Sequence, residues 1–152
     1  MIKKGFSLIE LLIVIAIMAI LGSLALGAFS TARKQGRDTT RKADLAQYKV
    51  ALEQYYTANG SYPTTGGGVH DSETTSGSIF TANGPLSSYL GGSPPRGLSI
   101  PTKKYYFISD VTNFVVQADL EVGTCWEICS NGRSGSLSAV CSSSASTTCH
   151  VP

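Results

Sequence analysis

Four groupings in this 152-residue sequence are of residue types that do chemistry. The first is a lone carboxylate, Glu10. From Phe6 to Phe29 only Ser7, Glu10 and Ser23 have polar side chains. An ionised acid costs ~2.5–3.5 kcal/mol at mid-bilayer and less near the edge, so one kept in lipid needs a positive partner. The second grouping is four late cysteines, Cys125, Cys129, Cys141 and Cys149. An even count after an apolar segment reads as two disulfides in an oxidising compartment, with three pairings open. Zinc is the rival: Cys125 and Cys129 have an allowed C-x3-C spacing and His150 is an extra ligand, but a second closely spaced pair is missing. The third is Asp110, Asp119, Glu121 and Glu127, oxygen donors of the calcium-holding type whose spacing matches no calcium loop. The fourth is His70-Asp71-Ser72, triad residue types that adjacency in a loop cannot bring into triad geometry. No metal or other cofactor is expected from these patterns.

The elements that must position these residues follow from periodicity. Residues 6–58 read as one long helix, ~80 Å at ~1.5 Å per residue. The stretch Leu11–Phe29 alone spans ~28 Å, close to the ~30 Å hydrocarbon thickness of a bilayer. After Ser30 the pattern turns amphipathic: Leu45, Tyr48, Leu52 and Tyr55 mark one buried face, with Ala51 beside them. Asn59-Gly60 and Pro63 supply the stop. A small head cannot bury such a helix, so its N-terminal half must protrude. Gly22 and Gly27 are weak points, each costing ~1 kcal/mol relative to Ala. Residues 64–104 read mostly as loop, punctuated by Gly and Pro. Strands are expected at Tyr105–Ser109 and Asn113–Leu120 with a turn around Asp110, and a third near Leu137–Val140. Ser142–Thr148 is low-complexity and needs Cys141 and Cys149 to tie its ends. The fold class is α+β: a long protruding N-terminal helix packed at its C-terminal half on a small antiparallel sheet.

Charge adds little about partners. Twelve basic residues face ten acidic ones, and without residues 1–5 the two balance. Basic residues concentrate at Arg33, Lys34, Arg37, Arg41, Lys42 and Lys49. DNA phosphates would suit this cluster, but helix-face pairing with Asp38 and Asp44 accounts for it without DNA. Lys103-Lys104 is a short pair of no specificity. Asn59-Gly60-Ser61 fits an N-glycosylation sequon in a Ser- and Thr-rich chain, where chance matches are common.

The N-terminus carries a more specific signal. Lys3-Lys4-Gly5-Phe6-Ser7-Leu8-Ile9-Glu10-Leu11-Leu12 resembles the class III signal of type IV prepilins and type II secretion pseudopilins. Ala58-Asn59-Gly60-Ser61-Tyr62-Pro63 is similar, more weakly, to the helix end and turn of many pilin-like proteins. The resemblance implies cleavage between Gly5 and Phe6 by a membrane peptidase, and methylation of the new Phe6 amine. Gly5 suits cleavage because it puts no side chain in the protease site. It implies that Glu10 pairs with the Phe6 amine of a neighbouring subunit and so sets register. Many family members carry Pro near Gly27; here Gly22–Gly27 would stretch instead, since Gly weakens a helix without removing a hydrogen bond. The calcium reading of the late carboxylates likewise comes from major pseudopilins.

The implied organisation is a leader at 1–5, a transmembrane and filament-core helix at 6–29, its amphipathic half at 30–58, and a head at 59–152. The implied role is a non-enzymatic pilin, held in the cytoplasmic membrane before assembly. A prepilin peptidase, an assembly platform and an ATPase would then act on it to give a homo-oligomeric surface fibre for adhesion, motility or DNA uptake. The second reading is a type II secretion pseudopilin. A third, a single-span membrane-anchored enzyme or binding domain, requires a convergent polar site that residues 64–152 do not display. More Lys and Arg follow the apolar run than precede it, which on the positive-inside rule alone would leave the head in the cytoplasm. The late cysteines and the export signal argue the other way.

Overall fold

One helix organises the chain. The computed structural model describes residues 5–66, 68–72, 78–95, 103–141 and 147–151, without the side chains of 24–28. In it α1 spans Leu8–Asn59, 52 residues, or ~78 Å. No Pro interrupts it. Ser7 precedes it in extended conformation, and Gly60 ends it in the left-handed region (φ 73°), donating its N–H to the Tyr56 carbonyl at 2.8 Å. Gly tolerates that φ without a Cβ penalty. These ends match the expected ones within ordinary fraying. The helix is continuous through Gly22; Gly27 falls in the 24–28 stretch, outside the described side chains.

The head is a five-stranded antiparallel meander in the order β1-β2-β3-β4-β5. The strands are β1 His70–Asp71, β2 Tyr105–Ser109, β3 Phe114–Asp119, β4 Cys125–Cys129 and β5 Ser134–Leu137. Alternation along each strand gives the sheet two unlike faces. The helix-facing set is Tyr105, Phe107, Phe114, Val116, Ala118 and Ile128, which share a core with Leu45, Tyr48, Ala51 and Leu52. The expected amphipathic face of α1 is therefore the docking face, and each large apolar side chain buried there stabilises the head by ~1.5–3 kcal/mol. The opposite face carries a small cluster of Ile108, Val115 and Cys129, with Val69 and Cys149 packed on it. This α+β arrangement is the one the hydrophobic pattern called for.

Three details differ from the sequence reading. The strand expected at Leu137–Val140 lies earlier, at Ser134–Leu137. Its register is set by pairing with β4, Cys125 to Leu137 and Ile128 to Ser134, and Val140 beyond it is 70% exposed. Second, β4 itself was not expected. Third, the 64–104 region is less loop-like than its composition: β1 pairs His70 with Phe107 and Asp71 with Tyr106. In the same region a run of turns from Ser78 to Gly92 places Ile79, Phe80 and Leu86 in the core.

α1 is covered along only part of its length. From Phe6 to Leu21 its large apolar side chains are exposed, Leu8 at 87% and Met18 at 68%. Among the described residues no helix is long and apolar enough to cross a membrane. The expected 6–29 span includes the 24–28 side chains, which lie outside them.

A buried carboxylate where α1 meets the sheet makes a test. Asp44 accepts the Tyr105 hydroxyl at 2.6 Å. Burial pushes the Asp44 carboxyl above its usual 3.8, against the opposing Tyr105 hydrogen bond and Arg41 charge. Burial and the Asp44 bond push the Tyr105 phenol far above its ordinary range. A folded pKa above the unfolded one means the native state binds the proton more tightly. Asp44 therefore adds stability as pH falls toward 3.8 and loses it as pH rises through the folded value. Asp44→Asn, which keeps an acceptor and drops the charge, is expected to leave the neutral-pH Tm unchanged or higher and to flatten that acid-side gain. Asp44→Leu strands the phenol and should cost about 1–3 kcal/mol. Thermal unfolding followed by near-UV circular dichroism from pH 3.5 to 7 reads both.

Candidate assembly site

The N-terminal end of α1 is uncovered. Gly5 has open space around the position a Cβ would take, and Phe6 is 77% exposed. Extended Ser7 offers no side-chain cap; its carbonyl accepts the N–H groups of Glu10 at 3.1 Å and Leu11 at 3.3 Å. Glu10 sits in the first turn, where the helix dipole favours negative charge. Among the described residues its carboxylate has no ion-pair partner within the chain. Residues 1–4, with Lys3 and Lys4, lie outside the described residues. The structure thus places Gly5, Phe6 and Glu10 together at an uncovered helix end, far from the head.

The basic cluster is at the other end of the problem, where α1 meets the sheet. Arg41 is 1% exposed and donates from one nitrogen to the carbonyls of Lys103 at 3.2 Å and Asp119 at 3.4 Å. Asp38 accepts the backbone N–H groups of Glu121 and Val122, both at 2.8 Å. Arg37 makes a two-pronged pair with Glu121 at 2.6 and 2.7 Å, which holds the Glu121 carboxyl below its usual range. Lys42 lies 4.3 Å over the Trp126 ring, and Arg33 4.5 Å over Phe29. The expected pairing with Asp38 and Asp44 along the helix face is present as charge attraction, Arg37 with Asp38 and Arg41 with Asp44, while the hydrogen bonds of Arg37 and Arg41 go to the head. Arg37, Arg41 and Lys42 are used in holding helix to sheet. No local signal marked Arg41, because its acceptors are 62 and 78 residues away.

The late cysteines form two bridges, Cys125–Cys141 and Cys129–Cys149. Both tie the C-terminal segment across the face of the sheet opposite α1. There Val151 packs on Gly135, where an added Cβ would approach within 2.8 Å of Val151 Cγ1. The four candidate calcium carboxylates hold different partners. Asp110 accepts the N–H groups of Thr112 at 2.7 Å and Asn113 at 2.6 Å, and these bonds pull its carboxyl down to about 2. Asp119 accepts Lys104 N–H and the Tyr106 hydroxyl, both at 3.3 Å. Glu121 takes Arg37, and Glu127 is fully buried under the C-terminal segment. His70, Asp71 and Ser72 serve the sheet edge: Asp71 meets Lys104 at 3.5 Å, and the Ser72 hydroxyl accepts Tyr105 N–H at 3.2 Å. Asn59 of the sequon is exposed, with its amide donated to the Tyr55 carbonyl at 2.9 Å.

Comparison with known proteins bears on the N-terminal end. Residues 1–26 match the family described as the prokaryotic N-terminal methylation motif. The chain is 37% identical over 99 residues to a fimbrial protein of Neisseria meningitidis serogroup B, an alignment covering 60% of this chain and 57% of that protein. It is 48% identical over 59 residues to a type IV wide pilus major component of Thermus thermophilus, covering 39% and 45%. It is 33% identical over 63 residues to the type II secretion system core protein G of Pseudomonas aeruginosa, covering 41% and 44%. The chain therefore spans less than two thirds of the length of these relatives. No solved structure matches it significantly. The recognised resemblance to type IV pilins and secretion pseudopilins stands on the methylation motif and these relatives.

The helix–head clamp predicts an ordered set of stabilities. Arg41→Met removes the buried donor to the Lys103 and Asp119 carbonyls and should cost about 1.5–3 kcal/mol. Arg37→Ala loses a partly exposed pair and should cost under about 1 kcal/mol. Lys34→Ala should change nothing measurable. Chemical denaturation of the full chain in detergent micelles, followed by Trp126 fluorescence, ranks the three; equal losses would reject the clamp.

Proposed function

We propose that the chain is the structural subunit of a type IV pilus, cut between Gly5 and Phe6, methylated at Phe6 and polymerised through α1. The observation that carries this reading is the uncovered apolar half of α1, with Glu10 in its first turn unpartnered among the described residues and the methylation motif matched over residues 1–26. A free-standing apolar helix is costly in water, so it must be covered by lipid before assembly and by other copies afterwards. Cleavage creates an amine on Phe6, and Glu10 of a neighbour gives that charge a partner. The pair offsets two expensive charges and fixes axial register. The heads decorate the outside. Partners are the processing peptidase, the assembly platform and its ATPase; the fibre ends on the cell surface, and the chain itself needs no catalytic group. Stretching at Gly22–Gly27 on assembly belongs to the same proposal. Fibres for adhesion, motility or DNA uptake all fit this subunit.

A second reading, a secretion pseudopilin, is favoured by the match to the core protein of the secretion system. It shares processing and the Phe6–Glu10 pair and differs in the product: a short periplasmic assembly in place of surface fibres.

Mass analysis of the mature N-terminus is expected to show N-methyl-Phe6; an intact Met1 rejects processing. Glu10→Gln should be cut normally yet yield at least tenfold fewer surface fibres by electron microscopy. Wild-type fibre counts in Glu10→Gln would remove the register role. Wild-type cells that lack fibres but need the gene for protein secretion would select the second reading.

A further inference from the structure

Two C-terminal sulfurs and a buried carboxylate converge, with an imidazole beside the carboxylate. β4 directs Cys125, Glu127 and Cys129 to the face of the sheet away from α1, since they alternate with Trp126 and Ile128. Cys129 is joined there to Cys149, and His150 follows. The Glu127 carboxylate is 0% exposed. Its Oε1 accepts His150 N–H at 2.8 Å and lies 3.3 Å from Cys129 Sγ. Its Oε2 accepts the Gln117 amide at 2.7 Å and lies 3.2 Å from His150 Nδ1. A Glu127 oxygen and the two sulfurs all lie within 4.8 Å of one another. The His150 side chain is 47% exposed and gives the cluster a route to solvent. The sequence suggested zinc only through Cys125 and Cys129 with His150 and lacked a second pair; folding supplies a different set.

We propose that, when the Cys129–Cys149 bond is reduced, Cys129 Sγ, Cys149 Sγ, His150 Nδ1 and Glu127 bind one Zn2+. Tetrahedral zinc, with Zn–S of ~2.3 Å and Zn–N or Zn–O of ~2.0–2.2 Å, sets neighbouring ligand atoms roughly 3.2–3.8 Å apart. The Glu127 Oε2-to-imidazole and Oε1-to-Cys129-sulfur separations already fall there, each through a different carboxylate oxygen. To share one ion the two sulfurs must part and the half-exposed His150 ring and one Glu127 oxygen must turn toward them, by rotation about side-chain bonds. Two thiolates with one imidazole and one carboxylate select zinc over calcium or magnesium. Gln117 stays as the outer partner that orients Glu127.

The electron count closes. A dithiol reductant gives the bridge two electrons and two protons and becomes a disulfide. Zn2+ then displaces the two thiol protons. In reverse, the thiolates pass two electrons to a disulfide oxidant, which takes up two protons and leaves as a dithiol. The S–S bond re-forms and Zn2+ is released. A chain made in a reducing compartment and exported to an oxidising one would pass through both states; that setting rests on the proposed function, whereas the site does not. The Cys125–Cys141 bridge takes no part.

The test uses the full chain in detergent micelles, reduced with a metal-free phosphine and titrated with Zn2+ against a chromophoric chelator. Co2+ is the spectroscopic stand-in. Reduced wild type and the C125S/C141S variant should each take one equivalent, with tetrahedral cobalt bands and sulfur-to-cobalt charge transfer. C129S/C149S should take none, and the oxidised chain none. Glu127→Gln and His150→Ala should each weaken binding by at least about tenfold, with far-UV circular dichroism verifying that each variant keeps α1. Absence of a bound equivalent in the reduced chain overturns the proposal, as does zinc retained by C129S/C149S. Wild-type affinity in both Glu127→Gln and His150→Ala would overturn the four-ligand assignment.

Discussion

The structure depends on one attachment: α1 is fixed to the head by its C-terminal half alone. A helix of 52 residues cannot be covered by a five-stranded sheet whose longest strand has six residues. Apolar packing of Leu45, Tyr48 and Leu52 supplies most of the adhesion, but such contacts are non-directional. Direction comes from the polar ones. Asp38 holds two successive N–H groups of the β3–β4 turn, and Arg41 holds the carbonyls of Lys103 and Asp119. These contacts set how far along and at what rotation the helix meets the sheet. They therefore also set where the free half points.

The second consequence concerns the other face of the sheet. The helix covers one side only, and the remaining side carries Gln117 and Glu127 among few apolar residues. Burying a carboxylate there is costly unless its lone pairs are used. The C-terminal segment uses them: His150 N–H and Gln117 donate to Glu127, and two disulfides fasten the segment over it. Each bridge closes a loop of a length that stabilises by about 2–4 kcal/mol. The head is thus a sheet between a helix and a strap, and the strap does by covalent closure what a second apolar core would do in a larger domain.

What could be read from the sequence tracks how local the causes are. α1 was readable because Leu45, Tyr48, Leu52 and Tyr55 repeat within it. β2 and β3 were readable because their own alternation suffices. β4 was not: Cys-Trp-Glu-Ile-Cys has a charged residue on a buried face, and the groups that make that burial tolerable lie 10 and 23 residues off. β1 has two residues and exists only through its pairing with β2. The disulfide pairing needed the fold, since three were open. The basic cluster misled for the same reason, because the partners of Arg37 and Arg41 come from the far end of the chain.

The two halves of α1 show opposite treatments of charge. In the docked half, Arg41, Asp38 and Asp44 are buried and meet carbonyls, N–H groups and the Tyr105 hydroxyl of the same chain. In the free half a single carboxylate stands in an apolar run, and among the described residues no group of the same chain answers it. The apolar surface around Glu10 demands a covering that excludes water, and any such covering raises the cost of an unpaired carboxylate. The cover must then bring a positive group with it. Lipid headgroups can do so only at the membrane edge, whereas a second copy, if cleaved at Gly5 as proposed, would carry an amine four residues before its own Glu10. On the proposed function, the same surface that makes the isolated helix costly selects another copy of itself as the partner.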